Sequence, residues 1–342
     1  MIFHPGALGD GLLALPALRA LRKFFPRHRM IWFGHKELGS VFVNAHEVHQ
    51  SYSFEELSFL GFSESADSQL GMIPSLFSRC ERAVGWMEDS DGIWRSWLRR
   101  VGIKHLILRS PHDLSLRHFH MADRYLEILQ PWFSMEQTSH EFDQCVRDEP
   151  VLVLDRATTA MRSCFFKEPL IVLHPGSGSP KKCAPPALLL NIIRGLTSPR
   201  PHCKLCLIGG PADEDTLRNV QGLLTHLEPI ILEGLDLLSV GRYLTRAQLF
   251  IGHDSGLSHL AARLGVPSIL LFGPTDPDKW APRGTHVAAM RKCCLCLEKR
   301  SIAQCTDKCY FSFPVDEVVT KAEALLCGMQ SSESLALVGE SL

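Results

Sequence analysis

No apolar run in the chain approaches the roughly 20 residues that a bilayer-spanning helix needs, so no transmembrane anchor is expected within its 342 residues. The N-terminal stretch lacks a basic segment followed by an apolar core and a small-residue cleavage site, so no export signal is expected and the chain reads as cytoplasmic. Net charge is almost absent. A formal balance of −1 gives no overall field that would draw the chain to nucleic acid or to an anionic membrane. No GxGxxG follows the first strand and no GxxxxGK(S/T) occurs, which removes the usual handles of a dinucleotide oxidoreductase and of a P-loop enzyme.

What is present is ordinary for soluble α/β material. Apolar residues make up 45% and charged residues 21%, and the length fits about two domains. Of 12 cysteines, seven are scattered and five crowd between Cys293 and Cys309. In a reducing compartment most of them read as core thiols.

The stretch FHPGALGDGLLALPALRAL, Phe3 to Leu21, places its only acid, Asp10, between Gly9 and Gly11 where a strand turns into a helix. The same order of apolar run, His-Pro-Gly, small-residue loop and apolar helix returns in LIVLHPGSGSPKKCAPPALLLNIIRGL, Leu170 to Leu196. This echo predicts two βα starts, one per domain. MIF is a short strand, and Leu12, Leu15, Leu18 and Leu21 recur at helical spacing in one helix ending at Pro26. MIWFG reads as the next strand and VFVNAHEV as the next helix. Such alternation predicts a parallel sheet with helices on both faces.

From about 51 to 125 the pattern weakens. SYSFEELSFLGFSESADSQL reads as a loop-rich insertion, HLILRSP as a strand, and HMADRYLEILQPW as a helix stopped by Pro131. A domain boundary is expected near 145–168. In the second half CKLCLIGG, PADEDTLRNVQGLL, IILEGLDLLSVGRYLTRAQ and LFIGHDSGLSHLAARLGVPSILLFGPT alternate strand and helix, each strand ending in a loop of Gly, Ser, Pro or Asp. In open α/β sheets those carboxyl ends form the ligand crevice.

Anion chemistry is legible at one such end. Asp254-Ser255-Gly256 precedes a helix, so free backbone N–H groups and the positive end of the dipole face the crevice. Lys181 and Lys182 lie in the corresponding loop of the other βα unit and can bring a cation to the same place. A diphosphate fits this pattern, and so does a plain helix cap. Asp89-Ser90-Asp91 imitates a metal-binding DxD, but it reads more as an exposed turn.

Taken in order and spacing, GALGDGLLALPALRALRKFFP, HPGSGSPKKCAP, LIGGPADE and DSGLSHLAARLGVPSILLFGPTDPDKWAP resemble glycosyltransferase family nine, the heptosyltransferases of lipopolysaccharide core synthesis. HMADRYLEIL is similar to the family's mid-chain helix, and the resemblance runs from Met1 to about Val319. It implies an α/β fold of GT-B architecture, two Rossmann-like domains with parallel sheets facing each other across a cleft. Residues 1–155 would bind the acceptor and 156–329 the nucleotide-sugar, with 330–342 a frayed polar tail. It also implies inverting transfer of heptose from ADP-heptose to a lipopolysaccharide core or related glycan acceptor, with no cofactor and no catalytic metal.

Site residues carry over by motif. Asp10 would be the general base, with Gly9 and Gly11 allowing close approach and His4 and Gly6 on the acceptor-side loop. The plainer alternative is that Asp10 caps the helix beginning near Gly11. Lys182 or Lys181 would contact donor phosphate, the run Ser255, Gly256, Leu257, Ser258 and His259 would hold the diphosphate, and Asp254 would bind sugar hydroxyls. Glu214 or Asp213 would serve the ribose, and Pro274 and Thr275 would shape the crevice wall. Two departures stand out: His4 replaces a usual arginine and Ala184 a usual tryptophan.

Cys293, Cys296, Cys305 and Cys309 give C-x2-C-x8-C-x3-C, which fits either a structural zinc or reduced thiols. The Arg-rich stretch IWRSWLRRVGIKHLILRSPHDLSLRH, with Trp94 and Trp97, suits a glycolipid headgroup and peripheral association with the inner membrane, or a solvated helix face. Another nucleotide-sugar, or a nucleotide-binding module without turnover, stays open as an alternative.

Overall fold

The computed structural model describes residues 1–61, 76–133, 151–154, 169–210, 212–292, 294, 305 and 308–339. The chain divides into two compact units, Met1–Pro150 and Val151–Leu342. Among the described residues no helix is long and apolar enough to cross a membrane.

The first unit is built on β1 (Ile2–Phe3), β2 (Ile31–Gly34), β3 (Gln50–Ser53), β4 (Arg82–Gly85) and β5 (His105–Leu108). Their order is β3-β2-β1-β4-β5, with every pair parallel. The second unit carries β6 (Leu170–Leu173), β7 (Lys204–Ile208), β8 (Ile230–Leu232), β9 (Leu249–His253), β10 (Ser268–Phe272) and β11 (Val287–Arg291). These run β11-β10-β9-β6-β7-β8, again all parallel. Both sheets thus follow the doubly wound order, in which the chain reverses direction beside the first strand of each unit. That reversal, between β1 and β4 and between β6 and β9, opens a crevice at the carboxyl ends.

The echo in the sequence corresponds to these two central strands. In β1 the pleat alternates faces, so Phe3 stacks on Phe33 at 5.1 Å while Ile2 and His4 share the other face with Trp32. Phe77, Trp94 and Trp97 complete the core under Phe3. In the second unit β6, β9 and β10 are buried along their whole length, as expected for strands covered on both faces.

Several local expectations are corrected. The run Gly11–Pro26 is two helices, α1 (Leu8–Leu13) and α2 (Leu15–Phe24). Pro16 has no N–H to give to Leu12, so the first helix closes at Ala14, whose amide bonds both Asp10 and Gly11 carbonyls. The next helix, α3, is Lys36–Asn44 rather than VFVNAHEV, because His35 caps the Leu38 amide and His46 adopts a left-handed φ of 57°. The loop-rich insertion begins instead with β3 and a helix over Phe54–Gly61. The last helix spans Val315–Gly339, taking in most of the segment expected to fray. Once nucleated, a helix extends at little cost through residues such as Glu, Leu and Ala.

The helix Ile93–Arg100 turns its aromatic face inward: Trp94 lies 6.1 Å from Phe3 and Trp97 5.0 Å from Phe77. Its two tryptophans are therefore core residues, and Arg99 and Arg100 form its exposed side. The DxD-like pair caps this helix. Asp89 accepts from the Trp94 and Arg95 amides at 2.9 and 3.1 Å, and Asp91 from the Ile93 amide at 3.1 Å.

Candidate active site

Asp10 lies just past β1, at the reversal point of the first sheet. It is the third residue of α1, and its Oδ2 accepts the Ala7 amide at 3.2 Å. The capping role foreseen as the plain alternative is therefore real, although the helix starts at Leu8 instead of Gly11. One carboxylate can both hold a helix start and take a proton, because each oxygen has two lone pairs.

His4 and Gly6 build the wall behind Asp10. His4 is buried against Trp32 at 5.2 Å, Trp86 at 6.0 Å and Tyr125 at 5.4 Å, and its Nε2 meets the Tyr125 hydroxyl at 3.2 Å. Burial pushes the imidazole down to about 4, so the ring is neutral near pH 7. The Tyr125 phenol is held well above its usual range by burial and, behind that, by the charge of Asp10. A Cβ at Gly6 would come 2.7 Å from His4 Cε1 and 3.1 Å from Asp10 Cβ, so glycine is what lets these side chains close together. Gly11 also has a packing use. A Cβ there would strike Leu38 at 2.4 Å, so its missing side chain serves packing of α1 against α3.

In the second unit the loops after β6 and β9 meet. Lys182 Nζ bonds Asp254 Oδ2 at 2.7 Å, while Lys181 is exposed. Ser177 donates to the Asp254 carbonyl at 2.6 Å. Ser255 caps the helix Gly256–Arg263 by accepting from the Ser258 amide, and the leading amides of Gly256 and Leu257 have no carbonyl partner inside the helix. Ser255, Gly256 and Leu257 are partly exposed, whereas Ser258 and His259 are buried. Of the run, then, the first three positions reach solvent. At the end of β10, Pro274 and Thr275 are partly exposed, and the Thr275 hydroxyl is shut from solvent without a hydrogen-bond partner among the described residues.

Beneath this loop pair runs a polar chain that the sequence did not reveal. His174 bonds Asp213 Oδ2 through Nε2 and Ser255 Oγ through Nδ1, both at 3.2 Å. Asp213 also accepts the Gly210 amide at 3.1 Å and stands at the residue before the helix Glu214–Leu224, whose first residue, Glu214, is exposed. Burial alone would raise the Asp213 carboxyl, but the His174 hydrogen bond and charge, with backbone amides, outweigh it and hold the group below its usual value. A Cβ at Gly176 would fall 2.0 Å from Asp213 Oδ1. His253 accepts the Ala184 amide at 3.0 Å and donates to the Gly176 carbonyl at 3.3 Å, and burial holds it down at about 3. Ala184 is itself part of the core.

The same loop is gripped from the far end of the chain. Lys308 donates to the carbonyls of Pro180 and Cys183, each at 2.8 Å, and Tyr310 to that of Lys181 at 3.2 Å. In the cysteine cluster, Cys305 and Cys309 bring their sulfurs to 3.4 Å, while Cys293 and Cys296 lie outside the described residues.

Two parallel-sheet α/β units of one strand order, each with its polar loops at the reversal point, make the GT-B class of fold. Among solved structures the chain is similar to Escherichia coli ADP-heptose lipopolysaccharide heptosyltransferase II, with a TM-score of 0.72 at 17% identity over 96% of this chain and 98% of that one. Lipopolysaccharide heptosyltransferase 3 of Escherichia coli K12 is 22% identical over 297 residues, 80% of this chain and 82% of that protein. Lipopolysaccharide heptosyltransferase 1 of Pseudomonas aeruginosa is 31% identical over 112 residues, a stretch spanning 28% of this chain and 32% of that relative. The model of glycosyltransferase family 9 (heptosyltransferase) matches residues 95–310, more than half of the chain, and the chain belongs to that family.

Proposed function

We propose that the protein moves a heptose from ADP-heptose onto a lipopolysaccharide core or related glycan acceptor, with inversion at the anomeric carbon. The Asp10 carboxylate takes the acceptor hydroxyl's proton as that oxygen bonds the anomeric carbon and the bond to the diphosphate breaks. General-base help of this kind is worth about 10²–10⁴-fold. ADP leaves with its new charge offset by Lys182 and by the amides of Gly256 and Leu257, a fixed electrostatic contribution that needs no catalytic metal. Asp213 serves chiefly through His174 and Ser255, which leaves Asp254 and Glu214 as the acids for sugar and ribose hydroxyls.

The observation that carries this reading is the Lys182–Asp254 pair beside the open start of the Gly256–Arg263 helix. A cation, amides with no carbonyl partner inside the helix and a carboxylate converge there. Donor and glycolipid acceptor would meet at the inner face of the cytoplasmic membrane, and the exposed side chains of Leu114 and Phe119 support peripheral association.

A thermal-shift panel of ADP, UDP, GDP, CMP and ADP-heptose tests the donor. At 100 times its dissociation constant a ligand adds about 2.7 kcal/mol of stability. A selective response to ADP species is expected. A response to UDP or GDP alone would discard the ADP-heptose donor, and silence toward every nucleotide would discard the donor site.

A further inference from the structure

The first unit holds a cavity of 550 Å³ at the amino ends of β1, β2 and β4. Asp10 follows the carboxyl end of β1, so the sheet, whose strands β2 and β4 are four residues or ~13 Å long at ~3.3 Å per residue, separates the two sites. The volume lies within the range of small-molecule pockets, about 300–1,000 Å³.

Its lining has two characters. Among the described residues the lining includes Arg27, Arg29, Arg79 and Arg82 and a single acid, Glu81, which His28 engages at 3.2 Å. Four guanidinium groups against one carboxylate among the described lining residues is a marked excess in a chain of net charge −1. The floor is apolar, formed by Ile2, Phe25, Met30, Ile31, Val84 and Trp132.

Arg82 joins the two. Its guanidinium carbon lies 4.8 Å from the Phe25 ring centre and 5.9 Å from that of Trp132, while its Nε is shut from solvent and has no hydrogen-bond partner among the described residues. A planar cation fixed by two rings loses little freedom when it binds an oxyanion.

We propose that this cavity is a second ligand site, one that takes an amphiphilic anion: a phosphate or carboxylate head on an aromatic or short alkyl body. The head meets the arginines and the body covers the floor. Inorganic phosphate would gain only the charge, and a neutral aromatic only the burial.

The test is calorimetric titration of the full chain, saturated with ADP, using 1-naphthyl phosphate, inorganic phosphate and 1-naphthol. Naphthyl phosphate is expected to bind at least tenfold more tightly than either fragment. The exposed pair Arg27→Ala/Arg79→Ala should weaken it at least tenfold and leave ADP affinity unchanged. If that double variant fails to fold, Arg29→Ala takes its place with the same expectation in direction. The proposal is overturned if naphthyl phosphate does not bind the ADP-saturated chain, or if the arginine substitutions leave its affinity intact.

Discussion

Lys182→Met keeps an apolar stem and removes the cation that stands 2.7 Å from Asp254. This lysine is paired with a nearly buried carboxylate, so a bound diphosphate must share it or take it over. A hydrogen bond to a charged group contributes about 1.5–3 kcal/mol. The lysine side chain is 31% exposed, and water screens part of that value. About 1.4 kcal/mol is left, a tenfold weakening of ADP. AMP, which lacks the outer phosphate, should weaken less than ADP. Asp254→Asn should act in the opposite direction on ADP, because it removes the competing acid, and the double variant should bind ADP more tightly than Lys182→Met alone. Titration calorimetry of both nucleotides against all four proteins reads this directly. Unchanged ADP affinity in Lys182→Met, or equal losses for ADP and AMP, would refute the assignment of Lys182 to the diphosphate.

Three further outcomes follow from the same geometry. Gly176→Ala should displace Asp213 from His174 and lower the stability of the second unit by about 1–3 kcal/mol; Gly178→Ala, where a Cβ meets nothing within 4 Å, should be near neutral in the same denaturant titration. His4 and His253 are held at about 4 and about 3 by burial, against about 6.5 when unfolded. Between those values the unfolded chain binds protons that the native chain refuses, so their contribution is complete above pH 6.5 and is lost as pH falls through the window. The slope is up to about 1.4 kcal/mol per pH unit for each ring, and urea unfolding that is flat from pH 6.5 to 5 would contradict it. Lys308→Met should leave Asp10 untouched but loosen the 180–183 backbone, seen as faster amide exchange there and weaker ADP binding.

The doubly wound class was legible because its central strands announce themselves twice as an apolar run followed by His-Pro-Gly. The structure gives the repeat a physical meaning. In each copy the histidine, His4 or His174, turns inward to a distant partner, Tyr125 or Asp213, and the glycine, Gly6 or Gly176, leaves room for a carboxylate, Asp10 or Asp213. Those partners could not be read from the sequence, since they lie 121 and 39 residues away and no local period links them. Lys308 escaped for the same reason, being 128 residues from Pro180. Strands β4 and β11 were missed because RAVG and VAAMR are short and mix charge with small residues. Helix phase failed where single residues rule: Pro16 splits one expected helix and His46 ends another early. The choices left open between neighbours needed coordinates, which place Lys182 rather than Lys181 on Asp254 and bury Asp213 while exposing Glu214.

The most direct measurement is a single-turnover comparison of the parent chain and Asp10→Asn, with ADP-heptose and a deacylated lipopolysaccharide core acceptor. Asparagine keeps an oxygen for the Ala7 amide, so α1 should stay folded and ADP affinity should be unchanged. The account predicts release of ADP with inverted product from the parent chain, and a rate at least about 10²-fold lower for the variant. An Asp10→Asn variant that turns over at the parent rate, or a folded parent chain that binds ADP-heptose and never transfers it, would contradict the central claim.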